Sequence, residues 1–68
     1  MSNENRELVM LKLLTLGPET LQTLVRVTGW GELNTRITLD TLIAQQKIRR
    51  FRRFRGSAAH FETIGENK

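Results

Sequence analysis

The chemistry in this chain is concentrated in Arg49-Arg50-Phe51-Arg52-Arg53-Phe54-Arg55, five guanidinium groups in seven residues with two phenylalanines between them. A guanidinium is always charged, presents a planar fork of donors that fits phosphates and base edges, and stacks on aromatic faces. Such a cluster is expected to bind a polyanion, the plainer reading being a solvated strand. Other reactive groups are sparse. There is no cysteine, so no disulfide or thiolate metal site is available. The one histidine, His60, has no carboxylate, thiol or second histidine spaced to make it catalytic. No nucleophile-base-acid set, phosphate loop or metal-ligand cluster is present, so an enzyme is not expected, nor is a metal, cofactor or small-molecule ligand.

The charge is also segregated. Residues 1–47 balance five cations (Arg6, Lys12, Arg26, Arg36, Lys47) against five acids (Glu4, Glu7, Glu19, Glu32, Asp40). Residues 48–68 carry six cations against Glu62 and Glu66, so the whole surplus of +4 sits in the last third. Localised excess of one sign is the footprint of a polyanion partner.

At 68 residues the chain is expected to be a single domain, 1–68, with its ordered core over about residues 4–64. A chain this short buries only about 60% of its unfolded surface, which leaves stability thin. No apolar run approaches the roughly 18–20 residues that span a bilayer, and the polar start is unlike a secretory signal. The expected compartment is the cytoplasm of a prokaryote or its phage, without membrane contact.

Apolar spacing and turn residues predict three helices and a hairpin that carries the arginines. Leu8, Leu11 and Leu14, flanked by Val9, Met10, Leu13 and Leu16, predict a helix over about residues 4–16, capped by Asn3 or Asn5 and ended by Gly17-Pro18. Thr20 is a candidate N-cap for a short helix over 21–28, with Leu21, Leu24 and Val25 as its apolar stripe and Gly29 as its stop. Trp30-Gly31 forms the turn, with Trp30 expected as a plug between helices. A third helix is expected over 32–46, with Leu39, Leu42 and Ile43 inward and Leu33 or Ile37 beside them. Its outer face then shows Asn34, Arg36, Thr38, Asp40 and Thr41, with Thr35 near the boundary. After Lys47 the period shortens to that of strands. Residues 47–55 and 59–64 predict a β-hairpin reversing at Gly56-Ser57, followed by a polar tail from Gly65 to Lys68. Two registers fit: Ile48 with Ile64 and Phe51 with Phe61, or Phe54 with Phe61 and Phe51 with Ile64.

Two short helices around a Gly29–Gly31 turn, the second amphipathic, form a helix-turn-helix arrangement. Leu24-Val25-Arg26-Val27-Thr28-Gly29-Trp30, followed by Leu39-Asp40-Thr41-Leu42-Ile43-Ala44-Gln45-Gln46-Lys47-Ile48, resembles the core of winged helix-turn-helix regulators. The likeness covers about residues 5–64. The chain departs from that pattern where a glycine usually precedes the wing strand, since Gln46-Lys47 stands there. A narrower similarity is to the small Pap- and Fae-type regulators of fimbrial operons, in Arg36 and in the Arg55-Gly56-Ser57-Ala58-Ala59-His60-Phe61 wing, where His60 replaces an aromatic.

The resemblance implies an α+β winged helix-turn-helix fold, three helices followed by a two-stranded β-hairpin wing, and a sequence-specific regulator of transcription that binds double-stranded DNA. The third helix would lie in the major groove, offering Glu32, Asn34, Thr35, Arg36 and Thr38. The wing would place Arg49, Arg50, Arg52, Arg53, Arg55 and Ser57 on flanking phosphates or in the minor groove. The small footprint calls for a homodimer or a partner transcription factor. Each assignment has a plainer counterpart. Arg36 can pair with Glu32 or Asp40, four residues away on either side. Glu32 can accept from cytosine or simply favour the helix start. Phe61 fits a core position, whereas one of Phe51 and Phe54 should be exposed. His60 is expected at the surface. Two rival functions stand beside DNA binding: a protein-binding winged-helix adaptor for a larger regulator or polymerase, and RNA binding through the arginine-rich strand.

Overall fold

The computed structural model describes residues 2–64. The expected polar tail from Gly65 to Lys68 lies outside the described residues. The elements run α1 (Asn3–Thr15), β1 (Glu19–Thr20), α2 (Leu21–Thr28), α3 (Glu32–Ala44), β2 (Ile48–Arg52) and β3 (Ala59–Thr63). The strands form one antiparallel sheet in the order β1-β3-β2. The domain is therefore α+β with a three-stranded sheet, one strand more than the expected two-stranded hairpin. The added strand follows from edge chemistry. β3 has a second edge of unpaired amides and carbonyls, and the extended backbone leading into α2 pairs with it, Glu19 opposite Phe61 and Thr20 opposite His60.

α1 starts at Ser2, whose hydroxyl accepts from the Asn5 amide at 3.1 Å, so neither Asn3 nor Asn5 is the cap. The helix is apolar on most of its circumference, and packing selects Met10 and Leu14 as the buried pair while Leu8 and Leu16 stay exposed. α2 has the predicted bounds. Thr20 caps it by accepting from Thr23 N at 3.3 Å, and Gly29 ends it at φ 70, its N–H bonded to Val25 O at 3.0 Å. Trp30 packs partly buried against the core, with the Arg6 guanidinium 5.8 Å from its ring centroid, which ties α1 to the α2–α3 turn.

α3 is rotated from its predicted setting. Thr35, Thr38, Leu39 and Leu42 are buried, and Leu33 and Ile37 face out. Threonine can be buried here because each hydroxyl donates to a carbonyl one turn back, Thr35 to Gly31 O at 2.8 Å and Thr38 to Asn34 O at 2.9 Å. The helix closes in a Schellman motif: Gln46 N donates to Ile43 O at 2.9 Å and Lys47 N to Leu42 O at 3.0 Å. Gln46 takes the left-handed position at φ 62 that glycine usually fills.

The core comprises Met10, Leu14, Leu24, Leu39, Leu42, Ile48 and Phe61. It also fixes the hairpin register. Ile48 pairs with Thr63, Arg50 with Phe61 and Phe51 with His60, which is neither expected register. Alternation excludes the first of these, because pairing Ile48 with Ile64 would turn Phe61 to the opposite face. The second keeps the two on one face but differs from the observed register by a slide of four residues, and in the observed register Ile48 and Phe61 both enter the core. The strands also stop earlier than predicted. The reversal spans residues 53–58 rather than Gly56-Ser57 alone.

Candidate nucleic-acid interface

Strand alternation divides the arginines. Arg50 and Arg52 share the face of Ile48, and Arg49 and Phe51 point to the other side. Arg53 and Arg55 lie beyond β2, where the loop and not the pleat orients them.

On the Ile48 face a groove of about 400 Å³ runs between α2, α3 and the sheet. Gln22, Arg36, Asp40, Arg50, Ala59 and Phe61 are among the residues that line it. Two cations from different elements, Arg36 of α3 and Arg50 of β2, thus reach one concavity. Arg36 also pairs with Glu32 at 2.9 Å, with both side chains well exposed. An exposed pair of this kind is worth roughly 0.3–0.5 kcal/mol, little enough to be exchanged for a phosphate or base.

The accessible face of α3 is Glu32, Leu33, Arg36, Ile37 and Asp40, with Leu33 70% and Ile37 47% exposed. This corrects the expected reading surface. Thr35 and Thr38 are 0% and 4% exposed and are occupied by core packing and hydrogen bonds within the helix. Asn34 is half-buried and donates to Trp30 O at 3.2 Å, bracing the turn. Of the helix residues expected to meet DNA, Glu32 and Arg36 remain on the surface, and Leu33 and Ile37 join them.

On the opposite sheet face, Arg49 pairs with Glu62, its direct cross-strand neighbour, and lies 5.4 Å from the Phe51 centroid. Arg53 approaches the same ring at 5.9 Å, and the His60 ring sits 5.6 Å from it at 34°. Phe51 is therefore half-covered and Phe54, at 68% exposure, is the exposed one of the two. Glu62 is a neutralising acid that composition did not reveal, because finding it needs the register. Arg52 and Ser57 build the reversal: Arg52 Nη1 donates to Ser57 O at 2.6 Å, and Ser57 Oγ accepts from Phe54 N at 3.3 Å. Arg50, Arg52, Arg53 and Arg55 are exposed, and none has a carboxylate within ion-pair reach among the described residues.

Among the described residues no group of three histidine, cysteine or acidic side chains is placed to hold a metal ion. No helix among them is long and apolar enough to cross a membrane. Comparison with protein-family models, with curated proteins and with solved structures gave no match to this chain, so its reading rests on the geometry above.

Proposed function

We propose that this domain is a winged helix-turn-helix regulator that binds double-stranded DNA, with α3 directed to the major groove and the β2–β3 hairpin acting as the wing. Three helices followed by a hairpin, within an α+β fold, are compatible with that arrangement. The observation that carries the reading is the convergence of Arg36 and Arg50 on one groove, continuous along the chain with Arg52, Arg53 and Arg55, which have no carboxylate within ion-pair reach among the described residues. A single cationic surface built from a helix and a strand suits a duplex, whose major groove is about 12 Å wide and flanked by phosphates. Arg36 would read guanine, Leu33 and Ile37 would meet thymine methyl groups, and the wing arginines would grip phosphates.

The test is selection of bound sequences from a random duplex pool, followed by affinity measurements across salt. Enrichment of one site is expected, with log K falling by about 0.9 per phosphate contact for each unit of log salt. Failure to retain any duplex, or binding indifferent to salt, overturns the reading. A second reading, a protein-binding adaptor, is favoured by one observation, the exposed Leu33 and Ile37 on α3. A stable complex with one regulator or polymerase subunit that Leu33→Glu abolishes, without any duplex shift, would select it. Preference for structured RNA in competition would select the RNA reading instead.

A further inference from the structure

The hairpin tip presents a feature that phosphate gripping leaves unused. Phe54 is 68% exposed at the point of the reversal, with Arg53 before it and Arg55 after it. It is held there by a defined turn. Ser57 N donates to Phe54 O at 3.0 Å, Phe54 N donates to Ser57 Oγ at 3.3 Å, Gly56 takes φ 88, and Arg52 fastens the Ser57 carbonyl. Phe51, by contrast, is already flanked by Arg49, Arg53 and His60. The fold covers one phenylalanine of the wing and projects the other.

We propose that Phe54 is a wedge that enters the minor groove and partly unstacks one base step beside the site read by α3. The inference rests on the DNA-binding reading above. The ring's surroundings favour a groove in DNA over a pocket in protein. An apolar protein pocket would have to desolvate the guanidinium groups beside Phe54, none of which has an acid partner among the described residues. A minor groove accepts both: its negative potential draws arginine inward, and apolar side chains insert between its base steps. The occupant is then a flexible pyrimidine–purine step such as TA or CA, which is the cheapest to open. Arg53 and Arg55 would hold the groove walls on either side of the ring. This adds a sequence preference at a position outside the major-groove site.

The experiment uses the full chain and the duplex recovered from the random pool, synthesised with 2-aminopurine at successive flanking positions and dyes at both ends. Wild type is expected to raise the 2-aminopurine signal at one flanking step and to shorten the end-to-end distance. Phe54→Ala is expected to bind about tenfold more weakly, the scale of one lost aromatic–base stack, and to lose both signals while keeping the salt slope. Phe54→Leu, which restores an apolar wedge, is expected to recover part of the bend, and it also guards against a folding defect in the alanine variant. The wedge is overturned if wild type binds without a signal at any step, or if Phe54→Ala bends the duplex as wild type does. In either case salt-dependent binding leaves the DNA-binding reading standing. Absence of all duplex binding overturns both.

Discussion

Gln46 holds φ 62 at the end of α3, a conformation that costs a residue with a Cβ about 1–2 kcal/mol and glycine nearly nothing. The two Schellman hydrogen bonds keep it there, because they satisfy carbonyls that the last helical turn leaves open. Gln46→Gly is expected to stabilise the domain by about 1 kcal/mol, seen as a raised thermal midpoint. The absent glycine was visible in the sequence, but nothing there showed that Gln46 itself takes the bend. Glu62 makes a second case. Its carboxylate occupies Arg49 on the sheet face turned away from the Arg36–Arg50 groove, so Glu62→Gln should raise the net charge without adding a phosphate contact. The expected result is slightly tighter binding at low salt with an unchanged salt slope, measured by titration across ionic strengths. Five arginines were legible in order. Which one was already spoken for depended on a cross-strand pairing that the sequence left open.

Among the elements, α2 was readable to the residue because Thr20 and Gly29 are strong and opposite signals at its two ends. α3 was readable in extent but not in rotation. Leu33 and Ile37 looked more suited to burial than Thr35 and Thr38, yet a threonine that bonds its own helix backbone needs no outside partner. The functional consequence is testable. Arg36→Ala should relax sequence preference by about 1–3 kcal/mol at one base pair. Thr38→Val should leave preference unchanged and cost at most about 1 kcal/mol of stability, the net value of one hydrogen bond. Selection from the same random pool with each variant, together with thermal melts, separates the two. β1 escaped notice for a different reason. Two residues carry no periodicity, and Glu19-Thr20 become a strand only because β3 offers them an edge.

For the whole molecule, the separation of a balanced helical part from a cationic hairpin was plain in the sequence, as was the order of helices before hairpin. The groove shared by Arg36 and Arg50 was not, since it depends on the rotation of α3 and the register of β2 together. A small core also makes the fold responsive to its ligand. A duplex that binds the native state alone, at 100 times its Kd, stabilises it by about 2.7 kcal/mol. For a domain of this size each kcal/mol moves the melting midpoint by about 4–8 °C. A matched duplex should therefore raise the midpoint well above that of the free protein, and the gain should fade as salt is added.

The short pairing of β1 with β3 sets a limit on the wing. On one side the hairpin continues from the end of α3, and on the other it is fastened to the residues that begin α2. The hairpin is thus held at both flanks. On the proposed DNA-binding reading, the domain would act as a gauge of fixed length, with one jaw in α3 and the other at Phe54. Inserting one base pair between the selected core site and the flanking step moves the second contact by about 3.4 Å and rotates it around the axis. Such a duplex should bind no better than one presented to the Phe54→Ala variant, even though every base that either jaw prefers is still present.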